Sequence, residues 1–75
     1  MKHYVVSYTI DYAGSAIIGV FNKLEKAIKC FFEQRKMLFD GDYVIASEID
    51  IVLWQGEKEK IILKETYEEW RKKNV

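Results

Sequence analysis

Two pairs of strand-length runs flank one amphipathic helical stretch, and no proline interrupts the chain anywhere. From Tyr4 to Tyr12 the residues alternate, with Tyr4, Val6, Tyr8, Ile10 and Tyr12 on one side and Val5, Ser7, Thr9 and Asp11 on the other, the period of a half-buried strand. Ala13-Gly14-Ser15 supplies turn chemistry, and Ala16 to Phe21 is a β-branched apolar run that closes a hairpin. A two-residue turn at Ala13-Gly14 pairs Ile10 with Ile17, Val6 with Phe21 and Tyr8 with Gly19, letting an aromatic ring cover the bare glycine.

Asn22 with Glu25 has the N-cap to N3 spacing, so the periodicity predicts a helix that begins there and stops at Asp40-Gly41-Asp42. Leu24, Ala27, Ile28, Phe31 and Leu38 form its apolar stripe, opposite Lys26, Lys29, Glu33 and Lys36. Arg35 falls inside the stripe, where its alkyl stem is expected to cover Phe31 and Leu38 while the guanidinium reaches water; the alternative is a buried ligand-binding arginine. Cys30 and Met37 lie on a flank and read as packing residues beneath another element.

Tyr43 to Gln55 is a long strand-like run with a bend or bulge expected near Ser47. It places Tyr43, Ile45, Ile49, Ile51 and Leu53 on the helix side and Val44, Ala46, Glu48, Asp50, Val52 and Trp54 on the other. A three-residue loop at Gly56-Glu57-Lys58 sets Leu53 opposite Ile61, Ile51 opposite Leu63, Asp50 opposite Lys64 and Trp54 beside Lys60. Thr66-Tyr67-Glu68-Glu69 is a capping box opening a short terminal helix to about Lys73. The expectation is a single α+β domain over residues 1–75, ββαββα, with a mostly antiparallel four-stranded sheet in the order 2-1-3-4 packed on the central helix.

A chain of 75 residues builds one modest core, burying only roughly 60% of the surface it exposes unfolded. With a single cysteine, Cys30, no internal disulfide reinforces it, which makes a partner subunit plausible. Twelve basic residues balance twelve acidic ones, so there is no net positive field toward nucleic acid or anionic lipid, and little protection against self-association. The opening residues carry no signal-peptide pattern and no run is long enough to span a bilayer, so neither secretion nor membrane insertion is expected and the cytoplasm is the default.

The chemistry-bearing residues do not assemble into an enzyme, and no metal or cofactor is expected. His3 sits at the start of the first strand, Asp40 and Asp42 lack the further ligands of a calcium loop, and the glycines are scattered rather than gathered around a phosphate. Glu48 and Asp50 share a strand side and are expected to be solvated. A nucleic-acid binder would use Tyr4, Tyr8, Tyr12 or Trp54 as stacking platforms beside Lys58, Lys60 and Lys64. Those lysines alternate with Glu57, Glu59 and Glu65, which weakens that reading.

What remains is a protein–protein interaction module. One helix covers one face of a sheet, leaving Val44, Val52, Trp54 and Ile62 on the reverse face, with Tyr67 and Trp70 of the terminal helix either folding over that patch or docking on the Cys30–Met37 flank. These six residues form the expected interface, used for homodimerisation or for occluding a larger protein. The hairpin ending Gly19-Val20-Phe21, followed by Glu25-Lys26-Ala27 at the helix start, resembles small uncharacterised bacterial and phage proteins. The resemblance covers about the first half of the chain and implies an accessory or inhibitor protein of a bacterium or mobile element, with no activity attached.

Overall fold

The computed structural model describes residues 2–11, 13–39 and 46–74. It contains β1 (Lys2–Ile10), β2 (Gly14–Phe21), α1 (Leu24–Phe39), β3 (Glu48–Gln55), β4 (Lys58–Thr66) and α2 (Tyr67–Asn74). The four strands form one antiparallel sheet in the order β2-β1-β3-β4, so the chain is an α+β fold, ββαββα, as its alternation and helical periodicity predict. The connection from β2 through α1 to β3 skips over β1, which places the two longest-range partners, β1 and β3, at the sheet centre. The stop at Asp40-Gly41-Asp42 and the stretch Tyr43 to Ile45 lie outside the described residues; regular strand pairing in β3 begins only at Glu48, beyond a bend at Ser47.

Both hairpins differ from expectation in register: the first connection is longer than expected and the second is shorter. In the first, Ala13 N–H donates to the Ile10 carbonyl at 3.1 Å, and Gly14 takes φ +94° at the first paired position opposite Ile10. A turn followed by a left-handed glycine makes a three-residue connection, and only glycine enters that conformation without a Cβ penalty. The pairs are therefore Tyr8 with Ala16 and Ser7 with Ile17, then Val6 with Gly19 and Tyr4 with Phe21, with Ile18 as the extra residue of a bulge. Gly19 is covered not by Tyr8 but by the ring of Phe21, two residues along its own strand: a Cβ on Gly19 would lie 2.9 Å from that ring.

In the second hairpin Gly56, at φ +64°, opens a two-residue turn rather than the expected three-residue loop. The tight turn sets Leu53 opposite Lys60 and Trp54 opposite Glu59, correcting the expected Ile61 and Lys60 partners. A bulge between Ile51 and Val52 then restores Ile51 opposite Leu63 and Asp50 opposite Lys64, as expected. The bulge turns Ile62 toward the core and gives the reverse-face position opposite Val52 to Ile61.

The core lies between α1 and the sheet. Val6, Ile49 and Ile51 from the two central strands meet Ala27, Phe31 and Leu38 of the helix stripe, with Ala46 and Phe39 at the margin. The helix starts one residue later than expected, since the Lys23 carbonyl accepts the first helical bond, from Ala27 N–H, and so Lys23 rather than Asn22 is the N-cap. α1 packs against β1, β2 and β3, while the helix side of β4 is served by other contacts. Phe39 at the end of α1 makes ring contacts at 5.7 Å with Tyr67 and 5.9 Å with Trp70, which seats α2 against the end of α1.

Beside that aromatic cluster, Glu65 of β4 occupies the helix-side position opposite Ile49 and is the buried charge of the described residues. Its carboxylate accepts from Arg35 Nη1 at 2.9 Å and from Lys73 Nζ at 3.4 Å, tying α1, β4 and α2 together. Arg35 also lies over the Phe32 ring at 4.7 Å. Thr66 caps α2 by accepting from Glu69 N–H at 3.2 Å, and Tyr67 N–H reaches back to the Ser47 carbonyl, so the start of α2 is stitched to the bend before β3.

Two stability predictions follow from this packing. Gly19→Ala forces the Phe21 ring to move and should cost about 1–3 kcal/mol in urea denaturation, and less in a Phe21→Leu background where the ring is gone. Arg35→Ala should cost about 2 kcal/mol, below the roughly 3–5 of a fully buried pair because Arg35 keeps 27% of its side chain exposed. Replacing both partners, as Arg35→Met with Glu65→Leu, should cost less than Arg35→Ala alone, because neither charge is then left buried without its partner.

Candidate protein interface

Residues opposite one another on paired strands share a sheet face, so the register defines the reverse face directly. Val20 pairs with Val5, Val5 with Val52, and Val52 with Ile61, forming an apolar ladder that crosses all four strands at one level. Val20 is 55% and Ile61 58% exposed at the two ends of the ladder, and Val5 and Val52 are half-buried between them. One step toward the Gly56 turn stands Trp54, 40% exposed and paired with His3. One step the other way stands Ile17, 66% exposed and paired with Ser7.

The polar groups of this face are largely occupied with each other. Ser7 Oγ donates to Asp50 Oδ1 at 2.7 Å, and Lys64 Nζ pairs with Glu48 at 3.3 Å rather than with Asp50 directly opposite it. The ladder is thus bordered on one side by a polar row whose hydrogen bonds are made within the sheet. An apolar strip with a polar rim and an aromatic anchor is the composition of a protein-binding surface.

Of the six residues expected at the interface, Val52 and Trp54 lie on this face, while Val44 is outside the described residues. Ile62 packs against the core. Its place on the reverse face is taken by Ile61, and Val5, Ile17 and Val20 join it from the first hairpin. Tyr67 and Trp70 lie on the helix side, stacked on each other at 6.1 Å and against Phe39, so α2 does not fold over the ladder. Neither does it rest on the Cys30–Met37 flank as a unit: Cys30 packs against the core, whereas Met37 is exposed.

The remaining chemistry is sparse. Burial, with Glu33 nearby, pushes the Cys30 thiol above its ordinary value, keeping it protonated and a weak nucleophile at neutral pH. No three residues of metal-binding type cluster among the described residues, and no helix among them is long and apolar enough to cross a membrane. Arg35, the candidate ligand-binding arginine, is engaged with Glu65. Of the candidate stacking platforms, Tyr4 and Tyr8 pack against the core from the helix side, Trp54 stands exposed on the reverse face, and Tyr12 lies outside the described residues. Comparison of the chain with protein-family models, with curated proteins and with solved structures found no match.

The placement of Trp54 separates binding from folding. Trp54→Ala should weaken partner binding by about 2 kcal/mol or more while barely moving the melting temperature. Phe31→Ala, at the centre of the helix–sheet core, should cost about 3–5 kcal/mol of folding free energy. Thermal denaturation of the two variants checks the contrast.

Proposed function

We propose that this chain is a non-enzymatic protein-binding module that presents the reverse face of its sheet to a protein surface, either its own or that of a larger protein it occludes. The observation that carries the reading is the ladder Val20–Val5–Val52–Ile61, an apolar strip crossing a face that no described helix covers, with Trp54 beside it. Burying apolar surface at about 25 cal/mol per Å² is the main favourable term such a strip offers, and it is available to any partner of matching shape. The proposed setting is the cytoplasm, where Cys30 stays a reduced, inert thiol. An accessory or inhibitor role in a bacterium or mobile element suits a small domain whose apolar ladder offers a binding surface.

The nucleic-acid reading has less support, because Tyr4 and Tyr8 are engaged with the core and the lysines of β4 alternate with glutamates. The test compares wild type with Ile61→Asp on an affinity column in high salt. Wild type should retain a protein partner and Ile61→Asp should lose it, since an apolar interface tolerates salt but not a buried charge. Retention by both, or binding of single-stranded DNA or RNA that falls steeply with salt through counterion release, would overturn the reading.

A further inference from the structure

The sheet has two edges, and the sequence treats them differently. Each edge strand contains one bulge, at Ile18 in β2 and at Ile62 in β4, so the difference lies elsewhere: β4 carries Lys58, Lys60 and Lys64 with intervening glutamates and runs straight into α2. Charged side chains and a covering element are among the devices by which proteins keep an edge strand from pairing with another chain. β2, the opposite edge, reads Gly-Ser-Ala-Ile-Ile-Gly-Val-Phe, with no charge and no proline over its eight residues, and its outer half from Gly14 to Ile17 is exposed. A strand that long presents a row of backbone N–H and C=O groups that β1 does not use.

We propose that the β2 edge is a self-association site, pairing antiparallel with β2 of a second copy to make one continuous eight-stranded sheet. Three features select a second copy as the occupant. An antiparallel pair of identical strands is isologous, so one two-fold axis satisfies both free edges at once. The strand brings no like charges to that axis, and the chain as a whole has net charge +0. With one edge open and the other guarded by lysines, pairing closes at two copies; two open edges would propagate into a filament.

The two-fold axis of such a pair stands normal to the sheet, so both helix layers fall on one side and both apolar ladders on the other. Val20, at the β2 end of each ladder, then borders the junction, and the two strips become neighbouring parts of one face. The edge pairing stands independently of the reverse-face reading: it is made by backbone groups at β2, whereas that reading rests on side chains centred on Val52 and Trp54.

Sedimentation equilibrium at micromolar and higher concentrations tests the proposal on wild type, Ala16→Lys and Trp54→Ala. Ala16 is exposed on the helix side of β2, opposite Tyr8, so a lysine there charges the edge and leaves the reverse face untouched. Wild type and Trp54→Ala should reach twice the 8.9 kDa chain mass, and Ala16→Lys should remain at the chain mass with an unchanged circular dichroism spectrum. A wild type that stays monomeric throughout, or a dimer lost in Trp54→Ala and kept in Ala16→Lys, overturns it. Amide hydrogen exchange on the wild type keeps the test independent of how the variant folds. Slowing of β2 amides with rising protein concentration is expected, and concentration-independent exchange there contradicts the proposal.

Discussion

The chain builds a sheet with two faces and has helix enough for only one of them. α1, at 16 residues, is about 24 Å long and roughly 10 Å across, sufficient to lie over β2, β1 and β3. The helix side of β4 needs a second contributor, and α2 supplies it by seating Tyr67 and Trp70 against Phe39. With both helices on the same side, no described helix covers the apolar residues that strand alternation sends to the reverse face. That allotment leaves Val20, Val5, Val52 and Ile61 in line across the reverse face.

The helix side is stabilised in two sectors of different character. Phe31, Ile49, Ile51 and Val6, all buried, give the central sector its cohesion by close packing. The sector around β4 relies on a charge: Glu65 is held between Arg35 and Lys73, so three elements converge on one carboxylate. Taking ions out of water costs more than an apolar packing of the same volume, and the return is directional. Together with the Thr66 cap and the Tyr67 N–H to Ser47 bond, the Glu65 pairing fixes α2 on the helix side and so keeps it off the ladder.

Element order, strand order and the helix stripe were legible because they depend on local periodicity: alternation in the strands and a 3.6-residue repeat from Leu24 to Leu38. Hairpin register was not, because the turns set it: the left-handed glycine ends a three-residue connection in the first hairpin and opens a two-residue turn in the second, and each strand pair then adds a bulge, which changes no residue type. The trace it leaves is a break in alternation. Ile17-Ile18 and Ile61-Ile62-Leu63 are adjacent apolar residues in strands that cannot point them all one way, and in both the bulge sends Ile18 or Ile62 inward. The candidate site shifted accordingly, from Ile62 to Ile61. Glu65 and Arg35 left a second trace: each is a charge set in an otherwise apolar core-facing register, on elements that turn out to face each other. Phe39, just beyond the predicted stripe, gives no sign in sequence that α2 will cover it.

The central claim, that the fold leaves its reverse sheet face to be covered from outside, is tested most directly by a water-soluble paramagnetic agent added to dilute, methyl-labelled protein. The methyl signals of Ile17, Val20 and Ile61 should broaden strongly, while those of Val6, Ile49 and Ile51 stay sharp. Protection of Ile17, Val20 and Ile61 to the level of Ile49 in the dilute monomer would contradict the account, because it would mean that the chain covers this face itself.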